Sequence, residues 1–198
     1  FNITEGLRTQ TGSGPYYGNG FTCAKVRAPT SKPIRFIREQ RQANRIVVVG
    51  DSISVGDRST IPARDCWTTI ARKNGCNITT AGWGTASFYS MAYNQSWLNS
   101  NAARIASLCD GYQDNVIWWA LGTNDYGLSL WGGNTTNFAN CCAAFWDAIH
   151  VLRPDVAMVA QLPILRSRDG TLGDFRTAEA NGTVGRDFMT VVDASAWN

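Results

Sequence analysis

The chain has 198 residues, 44% hydrophobic and 17% charged, which suits one domain with a substantial core and is too apolar for a disordered chain. Its net charge is +3, from 18 basic and 15 acidic residues spread without blocks, so no nucleic-acid footprint is expected. Its longest apolar runs fall well short of the roughly 20 residues that cross a bilayer, and no charged-then-apolar leader opens it, as if a signal peptide were absent or already removed.

Residues 1–44 read as an N-terminal arm or small β-appendage. TGSGPYYGNG is turn-rich, FTCAKVRAP alternates weakly like an edge strand, and REQRQANR is a polar connector. From Arg45 strands and helices alternate. RIVVVG (45–50) is continuously apolar, as a central parallel strand covered on both faces must be. CWTTIARKNG (66–75) reads as a helix ending at a glycine, CNITTAG (76–82) as the second strand, and NSNAARIASLCDG (99–111) as a helix. NVIWWALG (115–122) is the third strand and NFANCCAAFWDAIHVLRP (137–154) a long helix. DVAMVAQLP (155–163), DFRTAEANGT (174–183) and DFMTVVDAS (187–195) supply a fourth strand, a helix and a fifth strand. This alternation implies an α/β domain over 45–198, a three-layer α/β/α sandwich around a five-stranded parallel sheet.

In such a sheet the functional edge lies beyond the carboxyl ends of the strands. Three segments reach it with chemistry-bearing residues: Gly50-Asp51-Ser52, Gly82-Trp83-Gly84-Thr85 and Gly122-Thr123-Asn124-Asp125. A serine on a tight strand-to-helix turn is exposed beside its own N–H. Gly84 allows a second backbone donor close by, and Asn124 offers an amide. A serine ringed by three donors is what acyl transfer needs.

GDSIS at the first strand end, a glycine block after the second and GTND after the third resemble the SGNH (GDSL) hydrolase family, over residues 45–198. The resemblance implies a flavodoxin-like fold and a serine esterase without metal or cofactor. It places Ser52 as nucleophile, Gly84 as second oxyanion donor (Gly82 if that loop is misaligned) and Asn124 as third. Asp51, Trp83 and Trp131 are candidates for substrate contact, the tryptophans by stacking on a sugar ring or acyl group; packing as loop anchors is the alternative for each. Trp118 and Trp119 are expected in the core or sheet. The expected partner is an ester, an acylated glycan or lipid, with deacetylation the commonest role in relatives of this kind. The alternative is a catalytically inactive module of a larger extracellular or virion assembly, joined through the arm.

Family members carry Asp-x-x-His after the last strand, where the histidine serves the serine as base. The only match here is Asp147-Ala148-Ile149-His150, within the long helix. Phe138, Cys141, Cys142, Phe145, Ile149 and Leu152 form the expected buried stripe of that helix, which puts Asp147 and His150 on the solvent side at its C-terminal end, away from the catalytic edge. His150 is therefore read as a surface residue favoured by the helix dipole. The chain stops at VVDASAWN, so the domain is read as truncated, with a base supplied by missing residues or a second chain; loss of catalysis is the remaining alternative.

Six cysteines lack metal spacing, and sequons stand at Asn2, Asn77, Asn94, Asn134 and Asn181. With low lysine content they suggest an extracellular or surface protein, in which Cys66 and Cys76, flanking one helix, are the first candidates for a disulfide.

Overall fold

The computed structural model describes residues 45–56, 61, 66–111, 115–127, 131–163 and 172–193. The expected arm at 1–44, Cys23 and the sequon at Asn2 lie outside the described residues, as do residues 194–198.

Five strands form one parallel sheet: β1 (Ile46–Gly50), β2 (Ile78–Gly82), β3 (Val116–Ala120), β4 (Ala157–Leu162) and β5 (Met189–Asp193), in the order β2-β1-β3-β4-β5. That order is the flavodoxin-like one, in which the chain winds to one side and then the other of β1, opening a crevice between the carboxyl ends of β1 and β3. Between the strands run α1 (Ser52–Val55), α2 (Trp67–Lys73), α3 (Phe88–Ala92), α4 (Gln95–Ser107), α5 (Thr123–Gly127), α6 (Thr135–Leu152) and α7 (Leu172–Gly182). The three-layer α/β/α sandwich is thus the architecture observed.

One face of the sheet carries the core. The register pairs Val47 with Ile117 and Val49 with Trp119, then Ile117 with Met158 and Trp119 with Ala160, so these side chains project together. Against them pack Phe88 and Met91 of α3, Ile105 of α4, and Phe138, Phe145 and Trp146 of α6. Trp119 meets Phe145 edge-on at 5.2 Å and stacks on Phe88 at 6.0 Å between ring centroids. Each such fully buried aromatic contributes about 1.5–3 kcal/mol, which makes this face the main source of stability. Trp118, on the opposite face, is half-buried and donates its indole N–H to Gln161 Oε1 at 2.8 Å.

Three expectations are corrected. The buried side of α6 is wider than a single stripe: Trp146 is buried as well, while Leu152 is 49% exposed. The helix is wedged between α4 and α7, so two flanks are covered instead of one. Asp147 and His150 accordingly do not face solvent freely. Arg186 donates to Asp147 from Nε (2.8 Å) and from a terminal nitrogen (2.6 Å), and His150 lies flat on Phe188 with centroids 3.9 Å apart. Cys66 and Cys76 are free thiols: Cys66 is buried, its Sγ 3.2 Å from the Ser54 carbonyl, and Cys76 is exposed beyond the end of α2.

Candidate active site

The GDS turn is tight because of what folds over it. A Cβ on Gly50 would come within 2.1 Å of Ser54 Oγ, so α1 can turn back over the end of β1 only because residue 50 has no side chain. Asp51 caps α1: Ile53 N–H donates to its Oδ1 at 2.9 Å, and Asp51 is 1% exposed. Its carboxylate thus serves the turn itself. Thr68 of α2 braces the turn by donating its hydroxyl to the Ser54 carbonyl at 3.0 Å.

Ser52 is left half-buried at the first position of α1. Neither its hydroxyl nor its N–H has a partner among the described residues. A small cavity of about 30 Å³ lies at the GDS turn, walled by Asp51, Ile53 and Ser54 on one side and Thr123, Gln161 and Pro163 on the other; Ser52 is not among its lining residues.

Sheet register brings the second and third segments alongside. Gly50 pairs with Gly82 on β2 and with Ala120 on β3, so all three strands end level. Gly82 is the last ladder residue, and a Cβ there would fall 1.8 Å from the Gly50 carbonyl oxygen. Its glycine is explained by strand packing. Gly84 lies in the turn beyond, and its N–H has no acceptor among the described residues. Trp83 between them is half-buried and packs against the core, keeping part of its ring at the edge.

Asn124 and Asp125 fasten the third segment to the second. Asn124 Nδ2 donates to the Ala86 carbonyl at 2.9 Å. An amide nitrogen carries two hydrogens, so one donor remains. Asp125 is completely buried and accepts from Phe88 N–H (2.8 Å), Tyr89 N–H (2.9 Å) and the Trp131 indole N–H (3.0 Å). Burial pushes its carboxyl up to about 6 against the pull of those three donors. The two side chains thereby tie the segment after β2, which holds Ala86, Phe88 and Tyr89, to the start of α5, which carries Asn124. Asp125 stands in the same GTND stretch as Asn124, but its positioning role depends on α3, a five-residue helix with no periodicity to announce it.

Trp131 is corrected in turn. It is 7% exposed and donates to Asp125, which makes it a core anchor of the loop and not a free stacking platform.

Behind the site a second acid is buried. Glu179 of α7 is fully enclosed with both carboxylate oxygens lacking a partner, beside Gly122 and Pro163. Burial and the neighbouring Asp125 hold its carboxyl well above the ordinary range. Its position was legible in principle: Phe175, Ala178 and Glu179 share one face of α7 at helical spacing.

His150 is far from all of this. α6 begins at the catalytic edge and ends at the opposite end of the sheet, and His150 lies in its last turn. Among the described residues no group of three or more His, Cys, Asp or Glu side chains is placed to hold a metal, and no helix is long and apolar enough to cross a membrane.

No family model matches the sequence, and no curated protein matches it either. Solved structures do. A GDSL-like lipase from Parabacteroides merdae superposes with a TM-score of 0.56 at 16% identity, over 79% of each chain. A family 3 carbohydrate esterase from Clostridium thermocellum gives 0.52 at 15% identity, over 78% of this chain and 80% of that one. TesA gives 0.51 at 16% identity, over 74% and 76%. Against a salicylyl-acyltransferase from a tetracycline biosynthetic pathway the chain spans 42% of the partner's length, at a TM-score of 0.49. The fold is SGNH/GDSL hydrolase-like.

Proposed function

We propose that this SGNH-like fold serves ester hydrolysis, with Ser52 as nucleophile. The observation that carries the reading is a set of donors with no acceptor among the described residues, each on a segment that follows a strand ending level with its neighbour: the Ser52 and Gly84 N–H groups and the second hydrogen of the Asn124 amide. In this reading Ser52 Oγ attacks the ester carbonyl and gives its proton to a base. The carbonyl electron pair moves to oxygen, where the three donors hold it. Collapse expels the alcohol with a proton from the base, and water then releases the acid from Ser52. The ester is that of a glycan or lipid, with an acetyl ester favoured by analogy with carbohydrate esterases of the same fold. Exposure to an extracellular setting is part of the proposal and rests on the sequons alone.

The base does not come from these 198 residues as a histidine, because the single one stands at the wrong end of the sheet. That observation also favours a second reading, a non-catalytic SGNH-like module that keeps the crevice for binding. The two are separated by p-nitrophenyl acetate turnover, measured with and without about 50 mM imidazole as a substitute base. Without a base a serine triad loses roughly 10⁴–10⁶-fold in rate. Hydrolysis that rises with imidazole in the wild type beyond the rate in Ser52→Ala supports the esterase. Identical rates for both proteins under both conditions leave the binding module.

A further inference from the structure

Away from Ser52 the helical layer is creased by a groove of about 430 Å³, lying between the α3–α4 junction and the first turns of α6. It shares no lining residue with the small cavity at the GDS turn. Its size lies within the roughly 300–1,000 Å³ typical of small-ligand sites. We propose that it is a binding site for a neutral pyranose unit of a glycan, independent of any chemistry at Ser52.

The lining gives the reasons. Leu98 and the edge of Trp131 form an apolar floor. Tyr93 stands at the rim, 57% exposed, and is held in place by stacking on Tyr89 at 4.2 Å between centroids. An aromatic face fixed in this way offers the C–H face of a sugar ring a platform with little entropy left to lose. Asn137 and Asn140, one turn apart on α6, are exposed, and their side-chain amides have no partner among the described residues. Gln95 opposite commits its Nε2 to Asn99 at 2.8 Å and keeps its carbonyl oxygen. Each amide is both donor and acceptor, as each sugar hydroxyl is.

Among the described residues no Asp, Glu, Lys, Arg or His lines the groove. Burial pushes the Cys141 thiol in its wall up to about 12, so that group stays neutral as well. A charged ligand would find no counter-charge, and an acyl chain would strip water from three amides without replacing their hydrogen bonds.

The test uses Ser52→Ala protein made in a bacterial host, so that substrate is not turned over and Asn94 and Asn134, at the groove's ends, stay unmodified. Trp131 reports binding by its fluorescence. The probes are cellotetraose, xylotetraose, mannotetraose and chitotetraose, with tetragalacturonate and dodecanoate as charged and apolar comparisons. At least one neutral tetrasaccharide should bind with a Kd of about 0.1–3 mM, and Tyr93→Ala and Asn140→Ala should each raise that Kd about tenfold with circular dichroism unchanged. Asn140→Ala replaces an exposed mid-helix residue by a better helix former, so it keeps the test open even if Tyr93→Ala perturbs the α3–α4 junction. No neutral probe binding up to about 20 mM, binding that survives both substitutions, or preference for tetragalacturonate or dodecanoate would each overturn the proposal.

Discussion

Replacing Glu179 with glutamine should turn a pH-dependent fold into a less pH-dependent one. The carboxyl is fully buried without a hydrogen bond, and it faces Asp125 of α5 and the Cys142 thiol of α6. The nearby cation among the described residues, Arg176 on the same helix, is engaged by the Pro163 carbonyl and Asp193. Burial therefore raises the folded carboxyl well above its ordinary 4.5. The sign follows from proton counting: above pH 4.5 the unfolded chain releases this proton while the folded one keeps it, so stability falls as pH rises until the folded group also ionises. Its slope reaches about 1.4 kcal/mol per pH unit where the unfolded carboxyl is ionised and the folded one is not. Glutamine has nearly the same shape and does not titrate. Urea unfolding at pH 5, 6, 7 and 8 should show the variant equal to the wild type or about 1 kcal/mol weaker at pH 5, and gaining on the wild type as pH rises. Parallel stability profiles for the two proteins would refute the reasoning, because they would mean that Glu179 titrates alike in both states.

Asp125→Asn should destabilise by about 2 kcal/mol at pH 7, since an amide nitrogen replaces one acceptor and orphans the buried Phe88 or Tyr89 N–H. Because the wild-type carboxyl is raised to about 6, it gains stability on acidification, so the deficit should widen by about 1 kcal/mol between pH 7 and pH 5 in the same urea assay. His150→Ala should cost about 1 kcal/mol through loss of the stack on Phe188, yet change any Ser52-dependent ester turnover less than about twofold. A loss of a hundredfold in turnover without unfolding would place the base at His150 after all.

The strands were legible because a parallel sheet covered by helices needs continuous apolar runs, and IVVVG and VIWWA are such runs. Their ends then fixed where Ser52, Gly84 and Asn124 had to lie. The short helices α1, α3 and α5 were not legible, because four or five residues make little more than one turn and carry no periodic stripe. α4 begins four residues earlier than its apolar pattern suggests, at Gln95, because its first turn is polar and is started by the Asn94 cap. Asp51 shows the same ambiguity from the other side. An acid before a strand-end helix looks alike whether it greets a substrate or caps the helix, and only its burial separates the two. Trp131 was misjudged for a related reason, since loop position does not reveal whether an indole N–H has a buried carboxylate to meet.

The Asp147–His150 pair shows why spacing alone does not make a catalytic dyad. A base must come within about 3 Å of the proton it takes. α6 starts at Thr135 beside the catalytic edge, and 15 residues at about 1.5 Å each carry His150 roughly 22 Å down the helix. Its neighbours there are structural, Arg186 holding Asp147 and Phe188 covering the imidazole ring. Ser52, Gly84 and Asn124 are farther apart in sequence than Asp147 and His150, yet each follows a strand whose last residue pairs level with its neighbour, Gly50 with Gly82 and with Ala120. Position in the βα frame decides which polar residues can act together, and it puts the three segments at one edge of the sheet and the histidine at the other end.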